Sequence, residues 1–426
     1  MLAVFGAVAA TSCFAQRTPV PAGDLTLQQA KEYALRNNPR IRSADFSTGA
    51  AEAVVKEVRA ARLPAVYGIA TGVEAEHSTI LAAGSLQTSS LYSRFASGIA
   101  VSQMLSDFGR SSHLSKSADL RRQAQDQQGR SVREQVLLQV EQAYFQALGG
   151  AAALKAVQAA VNNRATTLRQ IRALAENSLR STLDVRFAEV ALSQAQLDLY
   201  QAENLASEAQ ANLAAAMGLD QAQHFSLSDE PLPAALEADP AALIEQARHK
   251  RPELIASNLT RDAARRYAQA EADLRLPTVT LIGAAGAVPA GDPRLPGKYS
   301  AAGVNINIPI LNGGLFSARR AEAEQRAAAA DSDVRTLSVQ IGREVRVAWL
   351  EANTAARRLD VTARLVAESN EALRLAQTRY DAGLGGIVEL SQAQLNQTSA
   401  EIQNATARYD YLSQRAALDY SVGELQ

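Results

Sequence analysis

Two stretches of this 426-residue chain, Arg110 to Gly218 and Leu315 to Gly423, contain no proline. The first runs without a breaker cluster to Asn177-Ser178 and resumes at Leu183. An uninterrupted helix of about 68 residues is roughly 100 Å long at the α-helical rise. That is several times the usual globular helix, and a rod of this length cannot bury its apolar stripe inside a compact domain. It must lie against other rods. The apolar spacing agrees: Ala188, Leu192, Ala195, Leu199, Ala202, Ala206, Ala209, Leu213 and Ala216 alternate by four and three, as do Leu137, Val140, Tyr144, Ala147, Ala151 and Leu154. Ile341, Val345, Ala348, Ala352, Ala355 and Leu359 repeat the pattern in the second stretch. This is a sustained heptad seam. Much of it is alanine, so helices approach closely while each contact buries little area. An ordinary soluble coiled coil would carry the same seam, so the function must be read from what the rods carry.

Bulk properties exclude several classes. Lys and Arg number 43 against 44 Asp and Glu, which leaves no electrostatic case for a nucleic-acid partner. The single cysteine, Cys13, lies near the N-terminus, so the body holds neither disulfide nor thiol site. No apolar run reaches the length of a membrane-spanning helix. His77, His113, His224 and His249 lack helical partners at metal-ligand spacing. Leu311-Asn312-Gly313-Gly314 is a hinge without the Lys-Ser/Thr of a phosphate loop. No cofactor, no metal and no enzymatic activity are expected.

Residues 1–15, MLAVFGAVAATSCFA, form a short apolar stretch ending in small residues and read as a signal peptide. Cleavage after Ala15 fits; Ala10-Thr11-Ser12-Cys13 also resembles a weak lipobox, which would make Cys13 a lipidated N-terminus. Both routes take the protein out of the cytoplasm. Thr26 is a plausible N-cap, Asn37-Asn38-Pro39 breaks a first helix, and Arg40 to Arg62 forms a second one that ends at Leu63-Pro64. The texture then changes to period two. Tyr67, Ile69, Thr71, Val73 and Ala75 alternate with Gly68, Ala70, Gly72 and Glu74; after a polar loop, His77 to Tyr92, Phe95, Ser97, Ile99 and Val101 alternate with small or polar residues. Apolar on one face and small or polar on the other is the pattern of a membrane β-barrel strand, with Ile99 and Val304 toward lipid and Ala100 and Asn305 toward a lumen.

The chain then repeats itself. Asn38-Pro39 corresponds to Arg251-Pro252 and Leu63-Pro64 to Leu276-Pro277; strand-like segments follow at Val279 to Val288 and Tyr299 to Ile310, with a loop at Pro289–Lys298. Asp107-Phe108-Gly109 matches Asn312-Gly313-Gly314, and from there Leu179 matches Leu384 and Gly218 matches Gly423 without a change of offset. The organisation read from this is a signal peptide at 1–15, a first repeat at 16–218, a linker at 219–240 and a second repeat at 241–426. In each repeat the short helix and the return helix together nearly match the long outgoing one. The short helix is therefore expected to stack on the return helix as a second, broken column. Four strands cannot close a barrel, and lipid does not tolerate open sheet edges; such a chain must assemble, and three copies would supply twelve strands.

The layout resembles the TolC-like outer membrane factor family, the exit ducts of bacterial efflux pumps and type I secretion systems. The resemblance rests on Leu27-x-x-Ala30 with Ala34-x-x-Asn37-Asn38-Pro39, on Pro309-Ile310-Leu311-Asn312-Gly313-Gly314, and on Arg379-Tyr380-Asp381-Ala382-Gly383, in two copies in the right order. It implies a mainly α protein with membrane β structure: a homotrimer with a twelve-stranded barrel in the cell outer membrane on an α-helical periplasmic tunnel. It also implies a periplasmic adaptor (membrane fusion) protein and an inner-membrane transporter of the RND, ABC or MFS type as partners, outer-membrane lipid as surroundings, and passive conduction. The competing reading is a periplasmic coiled-coil structural or adaptor protein, which whole-chain duplication and four strands disfavour. At the tip, the resemblance makes Leu179, Thr182, Gly383 and Leu384 positions that dock an adaptor hairpin. Tyr380 matches the tyrosine of a Tyr–Arg linkage that holds the inner tip helices closed, and Glu389 stands at one position of an acidic ring. The linking arginine's place is taken by Gly385 and the second acidic position by Gln392, so closure here must rest on other contacts.

Overall fold

The computed structural model describes residues 24–425 except 75, 77–79, 84–85, 91–92, 222, 235, 237–238, 292 and 294–295. Residues 1–15, read from the sequence as a signal peptide, and Cys13 within them lie outside the described residues. In chain order the elements are α1 (Leu27–Asn37), α2 (Pro39–Ala60), β1 (Ala65–Val73), β2 (Ile80–Ala83), β3 (Leu86–Ser90), β4 (Arg94–Ser106), α3 (Arg110–Glu176) and α4 (Thr182–Ala216). The second half follows with α5 (Ala241–Lys250), α6 (Pro252–Ala272), a 3-10 turn (Asp273–Arg275), β5 (Thr278–Gly291), β6 (Lys298–Asn307), α7 (Leu315–Asp381) and α8 (Ile387–Val422). The duplication is quantitative: α3 and α7 each have 67 residues, and α4 and α8 have 35 and 36. The chain forms two units, a helical one (Met1–Asp45, Gly129–Pro252, Val339–Gln426) and one that contains the strands (Phe46–Gln128, Glu253–Ser338).

In the helical unit, Thr26 caps α1 through a reciprocal capping box with Gln29. Ala30, Tyr33 and Ala34 of α1 pack with Val136, Val140 and Tyr144 of α3, Leu213 of α4 and Leu412 of α8. The connection after α4 is part of this core rather than a free linker. Phe225 is buried in it, and the Gln210 amide holds the Phe225 backbone through both its N–H and its C=O. The Tyr144 hydroxyl lies 2.8 Å from the Leu25 carbonyl and 2.7 Å from that of Ser228, where the two segments form a parallel bridge at Leu25 and Leu227. Burial raises the Tyr144 phenol well above its ordinary pKa.

At the point where the short helix is expected to stack on the return helix, the residues that open α2 meet the end of α4. Asn38 breaks the chain between α1 and α2, its Oδ1 accepts from Arg40 N, and its Nδ2 donates 2.9 Å to the carbonyl of Ala216 at the end of α4. Gly218, at φ +84°, lies so close that a Cβ there would sit 2.9 Å from Asn38 Cα. The second copy repeats the joint with other chemistry: Gly423, at φ +81°, meets Lys250 and Arg251, and the Arg251 guanidinium stacks on Tyr420 and pairs with Glu344. Along α4 the heptad seam is visible as buried Ala188, Ala195 and Ala202. The same helix carries a second apolar stripe, Leu183, Phe187, Val190 and Leu197, that is exposed in the single chain.

In the other unit, the four expected strands form one antiparallel sheet in the order β1-β4-β5-β6. Edge strands β1 and β6 each have one paired neighbour. Three sequence expectations need correction. The loop His77 to Tyr92 contains a further two-stranded sheet, β2 with β3. β5 continues through Pro289 to Gly291, while β6 stops at Asn307 rather than Ile310. The apolar positions of β1 and β4 do not share a face: Tyr67 pairs with Ala100 and Ile69 with Gly98, which puts both opposite Ile99 and Val101. Directly paired residues share a sheet side, so register, not alternation within a strand, decides the face. Ile99 and Val304 do share a side, through Ala285 and Leu281 of β5. On the other side the Tyr299 ring lies across Gly286 and Gly98; a Cβ at either glycine would come within 2.5–2.6 Å of its hydroxyl.

Candidate functional site at the hairpin turns

Of the six residues predicted at the tip of the helical unit, Leu179, Gly383 and Leu384 lie on the two turns, α3 to α4 and α7 to α8, and Thr182, Tyr380 and Glu389 lie in the helix ends that flank them. The backbones of the two turns follow one scheme. Leu179 N donates 2.9 Å to Leu174 O, and Leu384 N donates 2.8 Å to Arg379 O. The residue before each leucine is left-handed, Ser178 at φ +56° and Gly383 at φ +73°. This is the Schellman-type closure that satisfies the last carbonyls of a helix. α4 then starts from Ser181, whose hydroxyl accepts from Leu183 N at 3.1 Å, whereas α8 starts from Gly386 with no side-chain cap.

The side chains divide the predicted residues into two groups. Leu179 and Leu384 project outward, 69% and 73% exposed, and Thr182 is exposed at the first position of α4. Large apolar side chains held out on turns in this way are suited to anchor another protein. Tyr380 instead points inward. It is only 3% exposed, within a cluster of Leu168, Ile171, Ala188, Ile387 and Leu390. The Arg180 guanidinium lies over its ring, 4.1 Å from the centroid, and donates to the Tyr380 carbonyl. The Tyr380 hydroxyl is buried without a hydrogen-bond partner. Burial, then the nearby Asp184 charge, raise its pKa, and Arg180 opposes them.

Glu389 pairs with Arg379 at 3.1 Å, and Arg379 also donates to Leu384 O at 3.3 Å. Gly385 lies against this pair: a Cβ there would be 3.0 Å from Glu389 Oε2 and 3.3 Å from Arg379 Cβ. The two turns are thus joined by Arg180 on Tyr380, and the second turn is braced internally by Arg379 and Glu389. Sequence reading missed Arg180. It is the only cation in Asn177–Thr182, but nothing local points to a tyrosine 200 positions away. Cys13 is outside the described residues, and among the described residues no His, Cys, Asp and Glu group could hold a metal ion.

A family model described as "Outer membrane efflux protein" matches residues 31–219 and again residues 243–424. The outer membrane protein TolC of Vibrio cholerae is 25% identical over 412 residues, covering 93% of this chain and 89% of that protein. The outer membrane protein OprJ of Pseudomonas aeruginosa is 26% identical over 391 residues, covering 89% and 80%. Among solved structures, the outer-membrane channel OprN matches with a TM-score of 0.79 at 22% identity, over 93% of this chain and 89% of that one. A membrane protein from Pseudomonas aeruginosa matches with a TM-score of 0.81 at 24% identity, over 96% and 98%.

Proposed function

This chain belongs to the outer membrane efflux protein family, and from that premise we propose that it is the exit duct of a tripartite efflux pump or a type I secretion system. It is an outer-membrane duct protein and not an enzyme. In our reading it conducts passively, receiving cargo from an inner-membrane transporter and a periplasmic adaptor. The observation that carries this reading is the four-stranded sheet whose edges, β1 and β6, are unpaired among the described residues. A lipid-embedded sheet must have its backbone groups paired, so it closes only by joining other sheets. Three such sheets make a twelve-stranded barrel, and trimer formation and closure become one event. The exposed stripe Leu183, Phe187, Val190 and Leu197 supports the same assembly, because an uncovered heptad face calls for a neighbouring rod.

Within this reading 1–15 is a removed leader, 16–218 and 241–426 are equivalent repeats, and 219–240 connects them at the equator of the duct. Leu179, Thr182, Gly383 and Leu384 receive the adaptor; Tyr380 and Glu389 belong to the constriction. The test is membrane fractionation followed by detergent-corrected light scattering. A trimer in the outer-membrane fraction is expected; a soluble monomer with its sheet intact would end the proposal. Arginine at Ile99 or Val304 should cost about 2–4 kcal/mol near the bilayer midplane, and arginine at Ala100 or Asn305 much less.

A further inference from the structure

Well inside α3, away from its turn, Arg164 is 7% exposed. Its Nη1 donates to Gln394 Oε1 of α8, and the Gln394 amide is turned toward Thr167, with Nε2 3.4 Å from the Thr167 hydroxyl. Among the described residues Arg164 forms no ion pair with a carboxylate. Burial pushes the guanidinium's pKa down, and no acid offsets it. A guanidinium presents several N–H donors in a planar fork, and here, among the described residues, the neutral amide of Gln394 is the one group that accepts from it. Removing one charge from water without a counter-charge is among the costliest arrangements in a fold.

The space beside Arg164 has the complementary chemistry. A cavity of about 500 Å³ opens between α3, α7 and α8, with Asn163, Thr167, Asn370 and Gln377 in its wall and no carboxylate among its lining residues. The adjoining acids are engaged elsewhere: Glu371 by Arg374 at 2.7 Å, Asp381 by Gln377 at 3.0 Å, and Glu401 by Gln397. On its other flank Arg164 borders a more apolar groove with Phe187, Val190, Val388 and Leu395, whose acid, Asp198, accepts from Gln194 at 3.0 Å. The positive charge is thus buried at the junction of two spaces and is matched by no acid among the described residues.

We propose that Arg164 anchors a binding site for a small oxyanion, a carboxylate or phosphate group that enters between α3, α7 and α8. Planar N–H donors match such groups in paired fashion. The group is either a free anion or a carboxylate carried by a second copy of the chain, and the experiment separates these sources. It uses the full-length, detergent-purified protein and does not depend on transport. Inorganic phosphate is titrated by calorimetry, and melting is followed at constant ionic strength, for wild type, Arg164→Lys and Arg164→Met. A free-anion site gives saturable phosphate binding at one site per chain and a melting temperature that climbs with the logarithm of phosphate concentration. Arg164→Lys should weaken binding about tenfold or more by losing the fork, and Arg164→Met should abolish it. A neighbour's carboxylate gives no phosphate binding, while Arg164→Met, but not Arg164→Lys, dissociates the oligomer at lower detergent stress. If phosphate shifts all three proteins equally and their oligomers are equally stable, the site does not exist.

Discussion

The turn between α3 and α4 and the turn between α7 and α8 are two uses of one backbone. Ser178 corresponds to Gly383, Leu179 to Leu384, Arg180 to Gly385, Ser181 to Gly386 and Asp184 to Glu389. The hydrogen bonds and left-handed residue are shared, but the chemistry has separated. The first turn is capped by a serine and sends an arginine out to its partner. The second is glycine-rich and keeps its own ion pair, with a tyrosine tucked beneath. Where the second copy has glycine at 385, a side chain would press on Arg379 and Glu389. Duplication thus preserves what the main chain requires and leaves the side chains free to become complementary to one another. The arginine on one turn and the tyrosine on the other are halves of a single contact.

The comparison is open to attack at several strengths. If both leucines are docking anchors, Leu384→Asp should leave the trimer intact while abolishing adaptor crosslinking and export, and Leu179→Asp should do the same. Normal export by Leu384→Asp would reduce that turn to a chain reversal.

Removing the shared contact should be felt next. Arg180→Ala loses a stacked cation and a charge-assisted hydrogen bond and should destabilise the tip by about 1–3 kcal/mol, read as faster hydrogen exchange at Gly383 to Gly385. Tyr380→Phe removes an unpartnered buried hydroxyl and should cost less than about 0.5 kcal/mol or stabilise. Equal losses in both variants would mean that the ring contact is not what joins the turns.

The left-handed position gives a smaller, opposite-signed pair. Ser178→Gly should stabilise by about 1 kcal/mol and Gly383→Ser should cost a similar amount, measured by urea denaturation of the detergent-solubilised protein. A sign reversal in either would show that the two turns are not equivalent.

The smallest stability effect is expected at Glu389→Gln, since exposed ion pairs contribute little. Its readout is conductance: if Glu389 lines the constriction, divalent-cation block in planar bilayers should weaken, because converging acidic groups focus the field. Unchanged block would leave Glu389 as a brace for Arg379 and nothing more.

The helical elements were legible in the sequence because their limits are set locally. Proline-free heptads bounded by Asp107-Phe108-Gly109 and Asn177-Ser178 place α3 within a residue of its observed ends. The four strands of the larger sheet were legible for the same reason, but their facing was not. β1 presents Tyr67 and Ile69 on one side and β4 presents Ile99 and Val101 on one side; only pairing of Tyr67 with Ala100 reveals that these sides are opposite. The β2–β3 pairing was missed because neither Ile80–Ala83 nor Leu86–Ser90 alternates cleanly between apolar and polar residues. At the tip, the exposure of Leu179 and Leu384 follows from their place in tight turns. The Arg180–Tyr380 contact could not be read, since it joins residues whose only relation is the way two hairpins pack.

The joint at Asn38 and Gly218, repeated at Arg251 and Gly423, has a consequence for how such a protein can change length. A continuous column fixes the number of residues between its ends, but in a column made of two pieces meeting end to end the length of one piece does not set the length of the other. Paired heptads can be added to α3 and α4 beyond the joint without touching α2, and likewise to α7 and α8 without touching α6. Reach toward a partner is therefore a dimension that evolution or a designer can tune separately from everything on the other side of the joint.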